Sequence, residues 1–170
     1  ILPGSSTAYR LDYEDDPPVR TVRRRHPGPV LDAQGVPCRP AAASFVHVGP
    51  VAGEVLPEAI VELATWGVPL AIDLHALRRF APDGRVHLGC AADCGIDFAR
   101  FETVKGSVEE VLAFVPGTTD VIEGMRGIGR LGVRTVFATN GDGGALVWAD
   151  GEVSRVPAYP VIEVDATGAG

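Results

Sequence analysis

Between Phe45 and Ala138 short apolar runs alternate with segments of helical period, and this rhythm leaves few architectures open. Phe45-Val46-His47-Val48 is an apolar run closed by Gly49-Pro50, which suits a buried strand. Glu54 to Trp66 then carries Leu56, Ala59, Ile60, Leu63 and Ala64 at i, i+3, i+4 spacing, and Gly67 is placed to stop that helix. Val68 to Leu74 reads as the next strand. Phe101 to Val104, the helical stretches 107–115 and 119–131, and Val133 to Ala138 continue the alternation. Such order predicts an α/β fold with a mainly parallel sheet flanked by helices. Ala145 to Trp148 and Glu152 to Val156, joined by Ala149-Asp150-Gly151, predict an antiparallel edge.

The first residues follow a different pattern. Ala8 to Tyr13 and Val19 to Arg23 are extended runs around the polar break 14–18, which predicts a hairpin. Residues 26–43, with Pro27, Pro29, Pro37 and Pro40 among them, read as an irregular connection. The chain thus divides into a hairpin unit (1–25), a connection (26–43) and an incomplete α/β core (44–170).

Composition narrows the function classes. The 170 residues have 46% hydrophobic content, and no run approaches the roughly 18 apolar residues of a membrane span. A net charge of −7 argues against nucleic acid as the main partner. Cys38, Cys90 and Cys94 are an odd set that suits reduced thiols, so a cytoplasmic setting is expected. Because the sequence opens at Ile1 and stops at Gly170 on a glycine-rich turn, we expect a piece of a longer protein.

Three segments carry chemistry. Asp165-Ala166-Thr167-Gly168-Ala169-Gly170 strips side chains from the backbone, so amides can approach an anion closely. Thr139-Asn140-Gly141-Asp142-Gly143-Gly144 follows an apolar strand, and such loops at the carboxyl ends of parallel strands are where open α/β sheets bind ligands. In Lys105-Gly106-Ser107-Val108-Glu109-Glu110 the lysine can meet phosphate charge and Glu110 can hold Mg²⁺ through water. Ser107 and Glu110 also have the spacing of a capping box, which needs no ligand. The two readings are compatible.

In combination and order these segments resemble the ribokinase-like (PfkB) carbohydrate kinases. Asp165 to Gly170 is similar to their D-[ST/A]-T-G-A-G-D signature, Thr139-x-Gly141-x-x-Gly144 to their nucleotide loop, and Lys105-x-Ser107-x-x-Glu110 to their K-x-N-x-x-E element. The hairpin 7–23 resembles their substrate-covering lid. Val46 to Gly53 resembles the inositol and small-polyol kinases among them.

The resemblance implies an enzyme, a PfkB-type kinase that transfers phosphate from ATP to a hydroxyl of a small sugar, polyol or nucleoside. Gly168, Ala169 and Gly170 would form the catalytic anion hole. Thr139, Gly141 and Gly144, with Lys105 and Ser107, would bind the nucleotide. Glu110 would organise Mg²⁺, and Asp165 with Thr167 would serve a monovalent cation, K⁺. Ser107 is shorter than the usual Asn. The family's general base is the Asp after G-A-G, beyond Gly170, so residues 1–170 alone are expected to lack kinase activity. Pairing of lids into a homodimer is also implied. The alternative is a non-catalytic nucleotide- or sugar-binding regulatory protein of the same fold.

Other features have simpler readings. Arg20 to His26 is a basic run without interleaved aromatics and reads as a solvated strand. Glu54, Glu58 and Glu62 are expected on one solvated helix face. His87, Cys90 and Cys94 match no common zinc spacing. Gly124, Gly127 and Gly129 lie within a helical stretch rather than in a dinucleotide loop. His47 and His75 are expected to pack or pair near strand ends.

Overall fold

The computed structural model of the chain describes residues 6–15, 18–51 and 53–160. Strands β1 (Ala8–Asp15) and β2 (Pro18–His26) pair antiparallel as a separate two-stranded sheet. β3 (Val46–Val48), α1 (Pro57–Ala64) and β4 (Leu70–Asp73) follow. A hairpin, β5 (Arg78–Phe80) and β6 (Val86–Leu88), intervenes before β7 (Thr103–Ser107). The chain continues through α2 (Val108–Phe114), α3 (Val121–Gly129), β8 (Thr135–Thr139), β9 (Ala145–Ala149) and β10 (Glu152–Val156).

Six strands form the main sheet in the order β10-β9-β8-β7-β4-β3. β3, β4, β7 and β8 are parallel, and β9 and β10 form the antiparallel edge. The expected α/β architecture is the one found. Ile72, Val104 and Val136 stand in one row across β4, β7 and β8, each fully buried. Ile60 and Leu63 of α1, Val111 and Phe114 of α2, and Met125 and Ile128 of α3 pack into the same core. Burial of each such side chain contributes about 1.5–3 kcal/mol.

Local chemistry sets the helix ends. Pro57 occupies the first turn of α1, where its missing N–H costs nothing, and Gly67 takes a left-handed φ of 64° just past the helix. Asp120 caps α3 by accepting from the backbone N–H groups of Ile122 and Glu123. The glycines of α3 serve close packing. A Cβ on Gly124 would lie 3.0 Å from Val111 Cγ1, and one on Gly127 would lie 2.7 Å from Val115 Cγ2. A Cβ on Gly129 would collide with the Trp148 ring of β9, so the glycines answer to packing against α2, Val115 and β9.

Two features depart from the sequence pattern. The β5–β6 hairpin was not foreseen, because three-residue strands such as Arg78-Arg79-Phe80 are too short to show alternation. Glu54 lies before α1 rather than on its face. It accepts from the Thr7 hydroxyl and, at 3.4 Å, from the Tyr9 hydroxyl, tying the β1–β2 stem to the core.

Candidate active site

The carboxyl ends of three adjacent parallel strands bring the candidate residues together. Asp73 ends β4 directly opposite Lys105 of β7, and Ser107 ends β7 directly opposite Thr139 of β8. Directly opposed residues share a face of the sheet, so Lys105 Nζ reaches Asp73 Oδ2 at 3.1 Å. Asp73 is itself nearly buried and also caps the turn Leu74–Leu77 by accepting from the His75 N–H at 3.0 Å.

Glu110 is the other buried carboxylate. Ser107 and Glu110 form the capping box of α2: the Ser107 N–H donates to Glu110 Oε2 at 3.0 Å, and the Glu110 N–H donates to Ser107 Oγ at 3.2 Å. Glu110 Oε1 accepts from Arg78 through Nε and the adjacent guanidinium nitrogen, both at 3.1 Å. His75 stands between the carboxylates, 3.5 Å from Asp73 Oδ1 and 3.6 Å from Glu110 Oε1. A buried carboxylate survives only if paired and hydrogen-bonded, and here each has its own cation.

Asp73, His75 and Glu110 are also the one trio among the described residues close enough to share a metal ion. Arg78 and Lys105 already neutralise its two carboxylates, so no divalent ion is needed to hold the cluster. Glu110 Oε1 is taken up by the two Arg78 nitrogens, whereas Oε2 accepts only from the Ser107 N–H and keeps a lone pair, which suits a water-mediated approach to Mg²⁺ better than direct ligation. His87, Cys90 and Cys94 do not join the trio; the Cys94 thiol donates to the Ala91 carbonyl.

The Thr139 loop has its own internal bonding. Thr139 Oγ1 donates to the Gly106 carbonyl at 3.2 Å, and the Asn140 N–H to the Gly144 carbonyl at 2.8 Å. Gly141 and Gly144 both take positive φ, 50° and 81°. A Cβ on Gly144 would collide with the Val156 carbonyl, so that glycine answers to β10 as well as to any ligand. Asp165, Thr167, Gly168, Ala169 and Gly170 lie outside the described residues.

Sequence reasoning did not single out Asp73 or Arg78. The available signal was a carboxylate at the end of an apolar strand, followed at close range by a histidine and an arginine.

The β1–β2 hairpin stands near this cluster. A cleft of about 310 Å³ is lined by Thr21 and Val22 of β2, by Arg78 of β5, by Val86, His87 and Leu88 of β6, and by Ser107 and Glu110. Among the described residues no helix is long and apolar enough to cross a membrane.

Fold and site together define a class: the chain has the ribokinase-like fold. A pyrophosphate-dependent kinase of the ribokinase family, solved with sulfate, superposes with a TM-score of 0.77 at 19% identity, over 89% of this chain and 53% of its own. A Vibrio cholerae fructokinase double mutant with fructose, ADP and potassium ion superposes with a TM-score of 0.67 at 20% identity, over 97% of this chain and 54% of its own.

Curated relatives point the same way. An inositol 3-kinase of Oryza sativa subsp. japonica is 30% identical over all of this chain and 43% of its own length. A fructokinase of Klebsiella pneumoniae is 42% identical over 66 residues, 36% of this chain and 20% of the relative. The chain therefore spans less than half the length of these curated relatives. No protein-family model matches it. The resemblance to the ribokinase-like (PfkB) kinases read from the motifs is borne out by these neighbours.

Proposed function

We propose that this chain is part of a kinase that transfers a phosphoryl group to a hydroxyl of a small sugar or polyol. The observation that carries the reading is the capped, charge-paired Glu110 in the first turn of α2, three residues after Ser107, which is opposed to Thr139, and in one cleft with Thr21 and Val22 of the β1–β2 hairpin. Phosphoryl transfer asks a protein mainly for positioning and for neutralisation of developing charge. Arg78 and the capping box fix Glu110 so that it can orient a water of the metal's shell. Mg²⁺, when bound, would neutralise the donor phosphates. Lys105, partly exposed, can approach a phosphate while Asp73 keeps it extended at the strand end.

In this reading residues 1–25 are the lid, 26–43 the connection and 44–170 the donor-binding core. Gly168, Ala169 and Gly170 supply the anion hole, Thr139, Gly141 and Gly144 line the donor, and Asp165 with Thr167 serves K⁺. ATP is the donor the motifs imply, and the pyrophosphate-dependent neighbour makes pyrophosphate the competing one. A cytoplasmic setting agrees with three free cysteines. Pairing of lids into a homodimer is what the resemblance implies.

One observation favours the alternative, a regulatory protein that binds a nucleotide or sugar without chemistry: Ser107 Oγ is engaged in capping α2. A screen of sugars and polyols with the intact protein, Mg²⁺ and either ATP or pyrophosphate decides. Phosphorylation of one acceptor class is expected; binding without transfer would favour the regulatory reading.

A further inference from the structure

The β5–β6 hairpin, which no motif pointed to, is joined to the lid. The Arg24 N–H donates to the Gly84 carbonyl at 2.9 Å, and Arg23 and Arg85 form an antiparallel bridge between β2 and the start of β6. Tyr9 stacks on Phe80 with ring centroids 6.2 Å apart, and the Arg24 guanidinium lies 3.9 Å from the centre of the Phe80 ring. Two short hairpins therefore form one cover.

Strand register tells which side chains share its inner face. Tyr9 and Arg24 are opposed, as are Leu11 and Val22, so all four share the face that meets Phe80. Phe80 is opposed to Val86, and Arg78 to Leu88, so Val86 and Leu88 share the face from which Arg78 reaches Glu110. Val22, Val86 and Leu88 line the 310 Å³ cleft together with Ser107, Glu109 and Glu110. Leu11 and Leu88 are exposed, 38% and 37%. The cleft thus carries an apolar patch, Val22, Val86 and Leu88, within a lining that is otherwise polar, Thr21, Arg85 and His87 among it.

We infer that the β5–β6 hairpin is a second leaf of the lid, and that Val86 and Leu88, with Val22, form an apolar platform for the C–H face of a ring-shaped polyol or sugar. The inference rests on the acceptor class proposed above and adds the residues that read it. Charge supports this occupant. Arg78 is paired with Glu110, and Arg85 with Asp83 at 2.6 Å, so the walls offer hydrogen bonds with little unbalanced positive charge. A neutral ring with hydroxyls at its edge and C–H bonds on one face matches the apolar patch and the polar groups around it. The volume lies at the small end of ligand pockets.

The test uses the intact protein with myo-inositol and fructose as probes. Leu88→Asn and Val86→Thr change partly exposed positions, and circular dichroism verifies that each variant folds. Saturation-transfer NMR should show the ring C–H protons in contact with the wild-type protein. In both variants acceptor affinity should fall about tenfold, while donor affinity stays within twofold and Arg134→Ala has no effect. If neither ring binds, or if the variants bind acceptor as well as wild type, the platform is refuted. A change in oligomeric state with unchanged acceptor affinity also refutes it, and assigns the apolar face to a second copy of the chain. Binding that responds to Leu88→Asn without phosphate transfer would uphold the platform while overturning the kinase reading.

Discussion

The main sheet and the two-hairpin cover solve the problem of holding a shape by different means. Ile72, Val104 and Val136 are fully buried in a row, with helices packed around them. Among the described residues the cover has no comparable core. It is held at its stem by Glu54, Thr7, Tyr9 and Phe80, and along β2 by the contacts with Gly84 and Arg85. Apolar burial makes the sheet stiff, whereas a few polar clips leave the cover free to respond to a ligand at modest cost. The buried charges, Asp73 and Glu110, sit where the two regions meet.

The largest effect expected from breaking this contrast is in the sheet. Ile72→Ala should cost about 2–5 kcal/mol, because the surrounding row collapses only partly around the cavity. Leu11→Ala in the cover should stay within about 0.5 kcal/mol. Urea denaturation of the two variants measures the gap, and equal losses would show that the cover is as cooperative as the core.

Next in size is the junction. Glu110→Ala removes the partner of Arg78 and half of the capping box, and should cost about 2–3 kcal/mol. Adding Arg78→Ala should recover part of that loss, since the orphaned cation goes with it. A double-mutant cycle reads the coupling.

The stem offers a pH signature. Burial first, then the charge and hydrogen bond of Glu54, push the Tyr9 hydroxyl up from 10.0 to about 12. The unfolded chain then loses that proton before the folded one does. The Tyr9 contribution is therefore complete below pH 10.0 and fades as pH rises toward about 12. Glu54→Gln should move Tyr9 titration, followed by ultraviolet absorbance, back toward 10.0 and flatten the loss; an unmoved titration would free Tyr9 from Glu54.

The smallest effect concerns a cap remote from the site. Asp120→Ala should destabilise α3 by about 1 kcal/mol without touching acceptor or donor affinity. A comparable change in donor affinity would link α3 to the Thr139 loop.

Legibility in the sequence divided along the same boundary. The strands and helices of the sheet announced themselves because each buries a regular stripe, from Ile60 and Leu63 on α1 to Val136 on β8. Ser107 and Glu110 were legible because a capping box has a fixed spacing. Asp73 and Arg78 were not, since their meeting with Lys105 and Glu110 spans 32 residues in each case and depends on sheet register. The cover was legible only in its first leaf. Phe80, Val86 and Leu88 sit on strands too short to show a period, among arginines and a histidine that suggest only solvent. Glu54 was read onto a helix because the apolar spacing begins nearby at Leu56, whereas Pro57 fixes the first turn.

The central claim is that Glu110, held by Arg78 and the capping box, serves phosphoryl transfer. Its most direct test is the kcat of Glu110→Gln in the intact protein, with acceptor and Mg²⁺–donor saturating and the fold verified by circular dichroism. Gln keeps the size of the side chain and can still accept hydrogen bonds, but it lacks the charge that orients a metal-bound water. We expect kcat at saturating acceptor and donor to fall about tenfold to a hundredfold. A variant that turns over like wild type would reduce Glu110 to a helix cap and contradict the account.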